Sequence, residues 1–262
     1  MTKITILGAG NKGGAIATAL CPVESFDLTV ANRSAGRLDA LGESCRRLVA
    51  TTDMNKAVVG AHYIIFAVKP WAMRDVIDQV KNSIDYERQV VISIAGGVGL
   101  DALDAMLDKD GALPAVFHVI PDTAVSVKHG MTFVSCRRAN DTMMHCVNQI
   151  FELMGDVAFI DEHLMDAATA LSSCGIAYAY KYVQACVQAG VQLGFTPSDS
   201  LRYVLSTIDG AVSMLRENGT LPQQEIDRVT TPGGMTIKGV NELERGGFTS
   251  TVIDAILKPL QK

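Results

Sequence analysis

"KITILGAGNKGGAIATAL" (residues 3–20) decides how the rest of the chain is read. A β-branched apolar run from Ile4 to Leu7 stops at a glycine, and a helix-forming, alanine-rich run starts soon after. Between them, Gly8-Ala9-Gly10-Asn11-Lys12-Gly13 fits G-x-G-x-x-G. The glycines allow a tight turn and let backbone approach a pyrophosphate, and the helix start supplies free N–H groups and a positive dipole end. Such a glycine pattern also occurs in plain turns; its position after a predicted strand and before a predicted helix gives it weight. Gly8, Gly10, Asn11, Lys12 and Gly13 are therefore expected to hold a dinucleotide.

Outward from this unit the same alternation continues. Strands are expected in "DLTVANRS", "RRLVA", "AHYIIFAVKP", "QVVISIAGG" and "AVFHVIPDT", with helical stretches between them and further strands in "GMTFVSC" and "GDVAFI". In "AMRDVIDQVKNSI", Met73, Val76, Ile77 and Val80 recur at helical spacing. Apolar strands alternating with helices predict an α/β fold, a parallel, doubly wound Rossmann-type sheet with both faces covered. Near residue 161 the pattern changes to one long Ala/Gly/Ser-rich stretch ending at Gly194, followed by "PSDSLRYVLSTIDGAVSMLREN" and shorter helices. The expected division is a dinucleotide-binding domain at 1–160 and an all-helical domain at 161–262 for substrate binding and dimerisation.

The end of the second strand bears on the cofactor. An NAD site usually carries Asp or Glu there for the ribose hydroxyls. This chain has Asn32, Arg33 and Ser34, and a guanidinium suits a phosphate. NADPH is the preferred expectation, NADH the alternative. Ligands in open α/β sheets lie beyond the carboxyl ends of the strands, which adds Ala67, Val68, Lys69 and Pro70, with Ala95 and Gly96. Small residues there leave room for a nicotinamide ring.

With 262 residues, 48% of them hydrophobic, the chain is long enough and apolar enough for a sizeable core. A net charge of −5 without a basic patch argues against nucleic acid as a partner. No apolar run is long enough for a membrane span. The histidines lack metal-ligand spacing, so no metal is expected. The six cysteines form no C-x-x-C and follow no signal segment, and are read as reduced thiols of a cytoplasmic protein.

The whole constellation resembles the pyrroline-5-carboxylate reductases. "ILGAGNKGGAIATAL", "FAVKP", "ISIAGG", "IPDT…GMT", "LSSCGIAYAY" and "TTPGGMTIKGVNELERGGF" occur in that family's order across nearly the full chain. The resemblance implies reduction of the cyclic imine 1-pyrroline-5-carboxylate to L-proline, the last step of proline biosynthesis. It implies a homodimer through the C-terminal helices, with assembly beyond that left open. It adds Asn55 as a cofactor contact. It also makes Thr231, Gly233, Gly234, Met235 and Thr236 the substrate loop, with Thr236 hydrogen-bonding the imine nitrogen. Glycines that expose N–H groups just before a helix suit a carboxylate. Without the resemblance, the same stretch reads as a Pro-Gly turn with Thr231 as helix cap.

Departures from the family stand out. His118 and Asp122 lie where the family has Arg and Asn, and Ser173, Cys174 and Ile176 interrupt its Ser-Gly-Ser-Gly-Pro-Ala. These changes should make the region more negative, unless the groups point elsewhere. Three other readings remain. A β-hydroxyacid dehydrogenase or related imine reductase needs a Lys flanked by Gly four residues before and Asn four after; Lys181 has Ala177 and Ala185 instead. The N-terminal half also stands near F420-dependent NADP reductases, against which the long helical half argues. The third is a non-catalytic NADP-binding regulator.

Overall fold

A computed structural model describes residues 1–261. The chain divides into two compact units, Met1–Ser173 and Cys174–Lys262.

The first unit is built on an eight-stranded sheet in the order β3-β2-β1-β4-β5-β6-β7-β8. The strands are β1 (Thr2–Leu7), β2 (Phe26–Ala31), β3 (Val49–Thr51), β4 (Tyr63–Phe66), β5 (Val90–Ser93), β6 (Ala115–Pro121), β7 (Gly130–Arg137) and β8 (Gly155–Phe159). Helices α1 (Asn11–Leu20), α2 (Gly36–Ser44), α3 (Met54–Val58), α4 (Met73–Val80), α5 (Leu100–Leu107) and α6 (Asp141–Glu152) connect them.

Side-chain alternation explains why both faces are apolar. Ile4, Ile6, Tyr63, Ile65, Val90 and Ile92 point to one face, where Ile16 and Leu20 of α1 and Ile150 and Phe151 of α6 cover them. Ile64, Phe66 and Val91 point to the other, against Met73, Ile77 and Val80 of α4 and Leu103 and Leu107 of α5. Neighbouring residues of one strand thus serve two cores, so the strands read as continuous apolar runs.

The expected fold class holds, with one correction. Strands β1 to β6 pair in parallel, but β7 runs antiparallel to β6. The reason is the short link. Only a 3₁₀ turn (Thr123–Val127) and a few residues separate the two strands, whereas a parallel return needs a crossover of about a dozen residues or more.

A second correction concerns residues 161–173, the start of the long helix expected to end at Gly194; in the structure they fall within the first compact unit. Glu162 accepts the backbone N–H of Leu100 at 2.8 Å, and Met165, Ala168 and Ala170 are buried. The long helix expected here is also broken, into a 3₁₀ turn (Glu162–Leu164), α7 (Met165–Ala168) and a π-helical turn (Thr169–Ser173).

A third correction concerns the cysteines. Cys21 and Cys45 form a disulfide with Cα atoms 5.9 Å apart, tying the C-terminal ends of α1 and α2. Cys136, Cys146, Cys174 and Cys186 are free thiols.

The second unit is helical: α8 (Gly175–Gln192), α9 (Pro197–Asn218), α10 (Pro222–Val229), α11 (Met235–Arg245) and α12 (Phe248–Leu257). Small residues let α8 and α9 meet closely; a Cβ on Gly190 would lie 2.6 Å from Ser200 Oγ. Thr196 caps α9 by accepting the Asp199 N–H at 3.1 Å, and Gly219 ends it in the left-handed region. Large apolar side chains stay uncovered, among them Tyr182, Leu193, Leu205 and Ile253. No helix of the described residues is long and apolar enough to cross a membrane.

Candidate active site

The strand order reverses between β1 and β4, which run parallel with β2 and β3 on one side and β5 and β6 on the other. A crevice beyond the carboxyl ends is the expected ligand position at such a reversal. Register puts the sequence-predicted segments level with each other. Leu7 pairs with Ala31 and with Phe66, and Phe66 pairs with Ser93. Gly8–Gly13, Asn32–Ser34, Ala67–Pro70 and Ala95–Gly96 therefore follow side by side at one edge.

The glycine turn has the shape of a cradle. Gly8 sits at φ +112°, and a Cβ there would come within 2.7 Å of the Ala67 carbonyl oxygen. A Cβ on Gly13 would lie 2.0 Å from the Gly8 carbonyl oxygen, so only glycine lets α1 start against the strand. Gly10 caps α1 with no side-chain bond and no acidic residue follows in the first turn. The first N–H groups of the helix are left for an anion. These features fit a dinucleotide's pyrophosphate.

The side chains around the cradle divide by role. Asn32 braces the loop: its Oδ1 accepts the Ala9 N–H at 3.1 Å and its Nδ2 donates to the Ser34 carbonyl at 2.9 Å. Arg33 and Ser34 are exposed beside it. Arg37, which the sequence reading missed, lies with Nη1 3.6 Å from the Cβ position of Gly10. Its signal was available: it stands four residues after Arg33, in the first turn of α2. Asn55 is the second residue of α3, and its Oδ1 accepts the Ser83 hydroxyl at 3.1 Å. Ala95 is buried, so only its backbone can face a ligand, while Gly96 is exposed with open space at its Cβ position. Lys69 is exposed and Lys12 half-buried.

The two departures point into the protein. His118 is buried on β6, and its Nδ1 lies 3.0 and 3.2 Å from the Glu162 carboxylate oxygens. Ser135 donates to the same carboxylate, which also takes the Leu100 N–H at the start of α5. Asp122 accepts from the Ala124 N–H at 2.9 Å, the Met131 N–H at 3.1 Å and the Ser172 hydroxyl at 3.2 Å. The added negative charge is thus bound to protein donors.

In the second unit, Thr231-Pro232-Gly233-Gly234 forms a turn closed by the Gly234 N–H on the Thr231 carbonyl at 3.0 Å. Gly233 takes φ +71°, the value a type II turn demands after Pro. Gly234, and not Thr231, is the N-cap of α11, without a side-chain bond and without an acidic first turn. Its leading N–H groups therefore remain free. Met235 is 90% exposed, and the Thr231 and Thr236 side chains are exposed as well.

The family model for pyrroline-5-carboxylate reductase dimerisation matches residues 162–262, and that for NADP oxidoreductase, coenzyme F420-dependent, matches residues 3–97. Pyrroline-5-carboxylate reductase of Aquifex aeolicus is 30% identical over 268 residues, covering 99% of this chain and 96% of that protein. The chain belongs to the pyrroline-5-carboxylate reductase family. Pyrroline-5-carboxylate reductase 1 of Dictyostelium discoideum is 31% identical, and the chain spans 49% of its length. Among solved structures, Plasmodium falciparum pyrroline carboxylate reductase with NADP bound aligns with a TM-score of 0.86 at 28% identity, covering 98% of this chain and 95% of that one.

Proposed function

We propose that this protein reduces 1-pyrroline-5-carboxylate to L-proline with NADPH. The observation that carries the proposal is the joint presence, in one chain of this family, of an open glycine cradle and the uncapped Thr231–Thr236 segment. When bound, NADPH supplies the hydride. The chain's own part is to hold and orient. Gly8, Gly10 and Gly13 with the α1 N-terminus take the pyrophosphate. Arg33, Ser34 and Arg37 face the adenosine phosphate, Asn55 and Ala67–Pro70 border the ribose, and the Ala95–Gly96 backbone borders the nicotinamide. The free N–H groups of Gly234, Met235 and the first turn of α11 take the substrate carboxylate. Thr236 directs its hydroxyl at the imine nitrogen; as a very weak acid it orients and does not protonate.

A homodimer through the C-terminal helices is part of the same proposal, supported by their uncovered apolar faces. Asp122 offers no reason to prefer another imine, because both its carboxylate oxygens already accept from protein donors. The test is NADPH oxidation by the purified protein with 1-pyrroline-5-carboxylate, beside related cyclic imines. Turnover to proline is expected. NADPH binding without oxidation of any imine would leave a non-catalytic binding protein.

A further inference from the structure

Helices α1 and α2 are joined at both ends. At the nucleotide end, Arg37 in the first turn of α2 places Nη1 3.6 Å from the Cβ position of Gly10, the N-cap of α1. At the other end the Cys21–Cys45 disulfide ties them, Cys21 being the C-cap of α1 and Cys45 that of α2. The bridge therefore lies about 15 Å from the glycine cradle, the length of a ten-residue helix. It touches no part of the nucleotide crevice, so any effect it has on a ligand passes through the two helices.

Helix α2 has little else to hold it. It has nine residues, of which Gly36 and Gly42 lower helix propensity, and its N-cap Ala35 makes no side-chain bond. A helix this short is marginal without tertiary packing. Leu38 is its one buried residue, with Leu41 partly buried against the same core. The next element, β3, has three residues, and its Val49 is 56% exposed. The segment that carries Arg33, Ser34 and Arg37 thus runs from β2 to a short exposed strand, and the bridge is its covalent tie to the cradle helix.

We infer that Cys21–Cys45 is a redox-modification site that sets cofactor preference: bridged, it fixes α2 so that Arg33 and Arg37 hold the adenosine 2′-phosphate, and reduced, it frees α2 and loosens that hold. The inference rests on the reading of NADPH as the cofactor. The reductant is a dithiol, a small one or a protein cysteine pair. Cys21 is half-buried and Cys45 buried, so attack falls on Cys21 Sγ. Cys45 leaves as a thiolate and takes a proton. The second thiol of the reductant then displaces Cys21, which leaves and is protonated in the same way. Two electrons and two protons pass to the bridge, and the dithiol becomes a disulfide. NADH carries no 2′-phosphate and is indifferent to the change.

The experiment titrates NADPH and NADH by fluorescence against the full chain, oxidised with glutathione disulfide and then reduced with dithiothreitol, with the bridge counted by alkylation and mass. Reduction of wild type should weaken NADPH about fivefold or more, part of what a charge-assisted phosphate contact contributes, and leave NADH within about twofold. Cys45→Ser should bind NADPH like reduced wild type under both conditions, its NADH affinity showing that it is folded. Cys146→Ser, which removes a free thiol on α6, should respond as wild type does. An NADPH affinity that is equal in the two states of wild type overturns the inference, as does an equal loss for both cofactors. So does alkylation of Cys21 and Cys45 in the oxidised protein, which would mean that no bridge forms. If neither state binds NADPH, the cofactor reading falls as well; if both bind it alike, this inference alone falls.

Discussion

The two units differ most in what they do with apolar side chains. Every buried apolar residue among the described residues lies at or before Ala170, and from Cys174 onward Ser200 alone is buried. The first unit closes two cores over one sheet. The second presents helices whose large side chains face outward, Leu193 at 78% and Leu205 at 49% exposure. The lesson is a division of labour. The nucleotide unit closes its own core, whereas the helical unit leaves large apolar side chains uncovered, which the proposed dimer would cover.

That contrast can be broken by mutation. Phe117 is fully buried on β6. Phe117→Ala should cost about 3–5 kcal/mol, read as a drop in unfolding midpoint that does not depend on protein concentration. A concentration-dependent drop would contradict an independent core. On α9, Leu201, Leu205 and Val212 form an exposed stripe at helical spacing. Leu205→Lys should weaken self-association by about 3 kcal/mol or more, giving monomers at micromolar protein by light scattering, because it loses apolar burial and adds a charge. Wild-type protein that is monomeric in the same measurement would remove the proposed dimer. In the nucleotide unit, Arg33→Asp should weaken NADPH by about 1.5–3 kcal/mol and leave NADH nearly unchanged. Equal effects on both cofactors would shift the phosphate contact to Arg37.

The sequence made these units legible to different depths, for physical reasons. Strands buried on both faces leave continuous apolar runs, so β1, β4, β5 and β6 were readable, and the glycines of the cradle are required by its backbone. The Pro-Gly-Gly turn was readable too, since its positive φ falls on Gly233. What escaped was non-local. Glu162 joins Leu100, His118 and Ser135 across 62, 44 and 27 residues, and no local pattern marks such a hub. The Cys21–Cys45 bridge, 24 residues apart, likewise depends on how α1 and α2 end beside each other. His118 and Asp122 were visible as departures, but their direction was not.

The most direct test of the account separates the two units at one hydroxyl. Thr236→Val keeps the β-branched shape at the exposed start of α11 and deletes only the proposed bond to the imine nitrogen. The account predicts that kcat/KM for 1-pyrroline-5-carboxylate falls roughly 5- to 150-fold, about 1–3 kcal/mol, while the NADPH dissociation constant stays at the wild-type value. Unchanged imine turnover would contradict the substrate role of this segment, and a matching loss of NADPH binding would contradict the division of labour between the units.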